Sequence, residues 1–196
     1  MRIHERRSML ALCATAASVL LVWQWAVPAA DGQSNPAAGP AASAAPTKAV
    51  CVVHPLGDAK VGGNVTFTQV ADGVAIMAEL TGLTPGKHGF HVHEFGDCSM
   101  MDGTCAGGHF NPEGTPHGGP ESQQRHVGDF GNLVADRSGK ATYQRVDGKI
   151  ALSGPHSIIG RSIIVHADPD DLTSQPTGNA GARIGCGVIG IADPKM

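Results

Sequence analysis

The chain has 196 residues, 27 of them glycine and 13 proline, with only 4% aromatic residues and a formal net charge of -3 at pH 7. So much glycine with so few aromatics favours one glycine-rich all-β domain over a helical bundle. The acidic balance, with no basic patch, argues against nucleic acid as a partner.

Residues Met1 to Ala29 stand apart from any core. Arg2, Arg6 and Arg7 precede an apolar run from Met9 to Trp23, and Val27, Pro28 and Ala29 offer a cleavage point, the pattern of an export signal peptide. Gln24 and the following prolines curtail the run as a membrane span, so membrane contact is expected only through an uncleaved leader. From Ala30 to Thr47 the chain is almost all Ala, Pro, Ser and Gly, and with nothing large to bury it reads as a disordered linker. The domain itself is expected over residues 48–196. Losing the leader removes more basic than acidic residues and leaves that domain the more acidic part.

Strands are expected at Lys48 to His54, Gly63 to Val70 and Gly73 to Leu80, separated by turns at Pro55 to Asp58 and Ala71 to Gly73. In the second, Val65, Phe67 and Gln69 alternate against Thr66 and Thr68. Leu83 to Lys87 leads into a further strand that carries His91 and His93. Lys140 to Val146, Arg161 to Ala167 and Ile184 to Ala192 complete the set. Many short strands at regular spacing predict a β-sandwich or flattened barrel. Helix is expected nowhere, except as one short turn over Pro169 to Leu172.

The stretch from Gly89 to Gly131 holds five of the ten histidines. Strand residues two apart project to the same side, so His91 and His93 reach one metal. His109, His117, His126 and Asp129 follow in a glycine-rich loop. Three nitrogens and one carboxylate oxygen satisfy a closed, four-coordinate zinc. His166, in the next strand-like run, joins His91 and His93 in an imidazole-only set, which suits copper. A fourth nitrogen is available if one histidine serves both ions, one ring nitrogen to each.

The motifs GFHVHEFGD, GGHFNP, HGGP, RHVGDFGN, SGPHSIIGRSIIVH, DDL and NAGARIGCGVIGIA occur in that order. Over Lys48 to Ala192 they resemble copper/zinc superoxide dismutase, in particular its exported bacterial members. The resemblance implies a Greek-key, eight-stranded flattened barrel with long metal-binding loops. It places one copper per subunit on His91, His93, His109 and His166, and one zinc on His109, His117, His126 and Asp129, with His109 bridging. It implies superoxide as substrate, dioxygen and hydrogen peroxide as products, His109 as proton donor and Arg183 as the residue that guides the anion. Asp170 is expected to join His91 to His117 by hydrogen bonds, and His88 to contact the framework behind the ligands.

The resemblance also pairs Cys98 with Cys186, although Cys105, four before His109, is an alternative partner. A disulfide accords with export to the periplasm or beyond the cell. Cys51 is expected to be a buried, inert thiol, and Cys13 falls in the leader. Ile159, Gly160, Val188 and Ile191 resemble the dimer contacts of the eukaryotic branch, which implies a homodimer. The segment between His166 and Arg183 is shorter than in the animal and plant enzymes and lacks their charged residues, so its guiding field is expected to differ.

Overall fold

A computed structural model of the chain describes residues 45–195. The expected leader, and the linker up to residue 44, lie outside that range. Eight antiparallel strands close into a barrel: β1 (Lys48–Pro55), β2 (Gly62–Val70), β3 (Gly73–Thr81), β4 (Gly86–His93), β5 (Asp129–Ala135), β6 (Ala141–Asp147), β7 (Ser162–His166) and β8 (Arg183–Ile191). Around the barrel they run β1-β2-β3-β6-β5-β4-β7-β8, so the chain crosses the barrel end after β3 and again after β6. Those two crossings make the Greek key.

Alternation explains most of the strands. Along β3, Val74, Ile76, Ala78 and Leu80 point inward while Met77 and Glu79 face out. Paired in register, Val65 meets Ala78 and Phe67 meets Ile76 across β2 and β3. Phe90 packs between Phe130 and Tyr143, with ring centroids 5.7 and 5.3 Å away. These apolar faces fill the interior, and burial of this kind is the main force that closes the barrel. Gln69 breaks the expected alternation. It is exposed, and its amide caps the β2–β3 turn through the Gly73 carbonyl at 2.9 Å.

Two local expectations need correction. β5 was not legible as a strand, because five of its seven residues are buried on both faces and Gly131 takes a left-handed φ of 76°. Its register with β4 slips between Gly89 and His91. Pro169 to Leu172 forms no helical turn: the Asp170 carboxylate accepts the Leu172 N–H at 2.7 Å, and Leu172 has φ 68°. The one helical turn among the described residues is the 3-10 segment Thr104–Ala106.

Candidate metal centre

Three distant stretches meet in a ring of backbone hydrogen bonds. Phe110 N–H donates to the Val92 carbonyl (2.9 Å), Gly128 N–H to the Phe110 carbonyl (3.0 Å) and Val92 N–H to the Gly128 carbonyl (2.9 Å). The ligand-type residues sit beside these joints: His91 and His93 flank Val92, His109 precedes Phe110, and Asp129 follows Gly128. A Cβ on Gly128 would run into the Val92 carbonyl, so only glycine allows this approach. In β4, Phe90 and Val92 face the core, and His91 and His93 therefore point together into the loops.

Two buried clusters result, and they share His109. The donor atoms of His91, His93, His109 and His166 lie within 4.8 Å of one another, and so do those of His109, His117, His126 and Asp129. These are the sets expected from the sequence. His93 Nε2 and His166 Nε2 are 3.4 Å apart. In the second set Asp129 Oδ1 stands 2.8 Å from His109 Nδ1 and 3.2 Å from His126 Nδ1, with Oδ2 3.0 Å from His117 Nδ1.

The outer ring nitrogens of His91, His93, His117 and His166 are occupied by the protein. His93 Nδ1 donates to the Gly107 carbonyl (3.0 Å) and His166 Nδ1 to the Gly181 carbonyl (3.3 Å). Asp170 accepts from His91 Nε2 at 2.8 Å and from His117 Nε2 at 3.0 Å, joining the two clusters as expected. His88 Nδ1 donates to the His166 carbonyl at 2.9 Å, while its Nε2 rests against Thr84. Such contacts fix the ring orientation and leave one nitrogen facing inward.

Three of the nitrogens that face inward have no protein partner. His91 Nδ1, His109 Nε2 and His117 Nδ1 are buried without a hydrogen bond. The 3.0 Å approach of His117 Nδ1 to Asp129 is not aligned as one. Each orphan would cost about 1–3 kcal/mol. A cation in each cluster removes that cost, and the donor types fit: three nitrogens with a carboxylate for zinc, four imidazoles for copper.

Electrostatics separates the clusters. Burial, with the neighbouring His109, pushes His91 down to about 3, and burial pushes His166 down to about 4. His93 is lowered well below the ordinary histidine value for the same reason. His117 goes the other way. Burial disfavours its charge, but the Asp129 and Asp170 carboxylates outweigh burial and raise it to about 9. The imidazoles of His109, His117 and His126 around it hold Asp129 far below the usual carboxylate range, against the opposing effect of burial.

Arg183 opens β8 beside the four-histidine cluster, and its positive charge is felt at His93 and His166. The guanidinium donates to the carbonyls of Gly103 and Gly107 (2.7 Å to the latter), and Gly107 also accepts from His93. The same loop is tied to β8 by the Cys98–Cys186 disulfide, 88 residues apart in sequence. That settles the partner of Cys186: Cys105 is free and half-buried, and Cys51 is free and buried, its thiol pushed up to about 12 by desolvation.

Two further residues, Arg125 and Asn132, act on the centre without being marked by their residue types. Arg125, 3% exposed, pairs with buried Asp147 and donates to the carbonyls of His126, Val127 and Asp129 at 3.1, 3.2 and 3.3 Å. Asn132 clamps the backbone of Asp170, donating to its carbonyl at 2.9 Å and accepting its N–H at 2.8 Å. Arg125 and Asn132 do lie within the RHVGDFGN motif, but nothing in its residue types marks them as supports.

Comparison with known proteins agrees with this geometry. Residues 61–189 match the family described as copper/zinc superoxide dismutase (SODC). A Cu-Zn superoxide dismutase of Paramecium bursaria Chlorella virus 1 is 53% identical over 154 residues, covering 74% of this chain and 81% of that protein. The crystal structure of the clock protein EA4 is similar with a TM-score of 0.69 at 47% identity, covering 76% of this chain and 96% of that one. Both donor clusters lie inside the matched region, and the chain therefore belongs to the copper/zinc superoxide dismutase family, enzymes that use copper and zinc to act on superoxide.

Proposed function

We propose that this chain disproportionates two superoxide anions and two protons to dioxygen and hydrogen peroxide, with His109 as the shared ligand and proton donor. His91, His93, His109 and His166 would hold copper, and His109, His117, His126 and Asp129 would hold zinc. Bound copper supplies the one-electron acceptor and donor that the reaction needs, which zinc cannot. The remaining work falls to side chains. His109 is held at Nδ1 beside Asp129, so its ring cannot turn, and Nε2 is the atom that takes a proton and passes it to the reduced anion. Arg183 stays charged and offers a planar fork whose remaining N–H groups suit a small anion. Asp170 keeps His91 and His117 in the tautomers that face inward.

One observation carries this reading: a single buried histidine, His109, belongs to both donor clusters, with Nδ1 against Asp129 and Nε2 left without a protein partner. A metal-delivery module is the rival reading, and the complete four-histidine set with Arg183 favours the enzyme. The test is metal analysis of purified protein together with superoxide consumption by wild type and His109→Ala. Near one copper and one zinc per subunit in wild type, with activity lost in the variant, is expected. Comparable activity in both removes the bridge.

Export is part of the proposal, supported by the disulfide and by the leader composition, and it places the domain in the periplasm or outside the cell. A homodimer is proposed from the exposed apolar side chains of Val52, Val188 and Ile191 on neighbouring strands β1 and β8. Sedimentation of the mature domain at micromolar concentration tests it, and a monomer there refutes it.

A further inference from the structure

The segment between β7 and β8 is short, yet it closes on itself. Asp171 accepts the backbone N–H groups of Thr173 (2.9 Å) and Ser174 (2.7 Å), its own N–H donates to the Gly178 carbonyl (2.8 Å), and Gly178 N–H donates to the Ser174 carbonyl (2.7 Å). Gln175 stands at the apex of this turn. From there its carboxamide reaches back to one residue only outside the segment: Oε1 accepts the His117 N–H at 2.8 Å, and Nε2 donates to the His117 carbonyl at 2.9 Å. That pair is the same reciprocal grip that Asn132 applies to Asp170. Gly178, with φ +67°, packs so closely that a Cβ there would run into the Asp170 carboxylate and meet His117 Nε2 at 2.7 Å. The side chain of His117 is thus fixed by Asp170, and its backbone by Gln175.

We propose that Gln175 is a positioning residue for zinc: its amide locks the backbone of His117 so that Nδ1 faces the cluster of His109, His126 and Asp129. This rests on the reading that this cluster holds zinc. Because Gln175 is exposed, replacing it removes those bonds without opening a cavity. A two-bond latch is specific: a glutamate at this position would set an anionic oxygen against the His117 carbonyl, and a methionine keeps the length but has neither bond.

The test compares wild type, Gln175→Met and Gln175→Glu, each loaded with copper and zinc. Zinc release to a chromophoric pyridylazo chelator is followed with copper release in parallel, and the visible spectrum of cobalt(II) in place of zinc reports the ligand geometry. Gln175→Met is expected to release zinc about 10-fold faster, the lower end of what partners orienting a metal ligand contribute. Gln175→Glu should be faster still, with copper release unchanged and the cobalt spectrum shifted in both. Wild-type zinc release and spectrum in Gln175→Met overturn the proposal. So does an equal acceleration of both metals with a lowered thermal midpoint, which marks general loosening. Wild-type protein that takes up no zinc overturns the ligand assignment itself, a result separable from failure of the latch alone.

Discussion

Replacing Arg125 by methionine tests whether the centre is held from beneath. Arg125 ties Asp147 to the backbone carbonyls of His126, Val127 and Asp129, and both members of the ion pair are almost wholly buried. Removing one partner of a buried pair costs about 3–5 kcal/mol, mostly because the other charge stays buried. Here Asp147 keeps the N–H groups of Lys149 (2.8 Å) and Ile150 (3.4 Å) and the Arg145 Nε (3.3 Å), which moderates the loss, so about 3 kcal/mol is expected. For a domain of this size that lowers the thermal midpoint by about 6–12 °C. Urea unfolding of the metal-free, disulfide-intact protein measures it as a shifted midpoint at constant slope. If the buried charge is the cause, Arg125→Met with Asp147→Leu destabilises less than the two changes summed, by about 1–3 kcal/mol. Zinc affinity falls about 10-fold or more, since two ligand-bearing residues lose their backbone support. A midpoint shift worth under about 1 kcal/mol, or strict additivity in the double variant, refutes the reasoning.

Cys98→Ser opens a loop of 88 residues, and the chain-entropy model gives about 4–5 kcal/mol as the upper loss; equal unfolding midpoints with and without reductant in wild type would contradict it. Arg183→Met should lower kcat/KM for superoxide about 10-fold and flatten its salt dependence, a magnitude known for steering in this family rather than worked from the structure; an unchanged salt slope argues against the role. The metal-free protein should be most stable near pH 6.5. His91 and His166, lowered to about 3 and 4, stay neutral in the fold while the unfolded chain takes up protons, so stability drains away as pH falls from about 6.5 toward 4. His117, raised to about 9, contributes fully below about 6.5 and loses that contribution as pH rises through 9. A thermal midpoint that is flat from about pH 4.5 to 9 would rule out both effects.

What could be read in advance divides by the kind of physics involved. The residues of the two clusters were legible because metal donors are few residue types and their strand spacing is fixed: His91 and His93 share a side wherever the barrel puts them. Strands such as β3 were legible from one buried face. β5 was not, since Phe130, Leu133 and Asp129 are buried while Gly131 bends the chain, which erases the alternation. The supports were the least legible. Arg125 and Gln175 are polar residues of types mostly found solvated, and only the folded chain shows that one is buried on three carbonyls and the other grips a ligand's backbone. The pairing of Cys98 with Cys186 followed from the resemblance and holds, although residue types alone do not show which thiol faces β8.

Charge placement explains how an acidic chain can work on an anion. The two carboxylates of the centre are placed differently: Asp129 lies within the three-histidine cluster, whereas Asp170 stands behind the donors and joins His91 of one cluster to His117 of the other. The four-histidine cluster contains no carboxylate, and its histidines His91, His93 and His166 are neutral near pH 7. An ion held there keeps its positive charge uncompensated by its ligands, whereas the other cluster balances part of its ion's charge through Asp129. Arg183 adds a further positive charge beside His93 and His166, whereas the arginine under the other cluster, Arg125, is paired with Asp147. The field that superoxide meets is therefore set over a few ångströms by these groups. At physiological ionic strength screening acts over about 8 Å, so the net charge of -3 spread over the whole chain counts for less than one arginine and one ion at the mouth of the site.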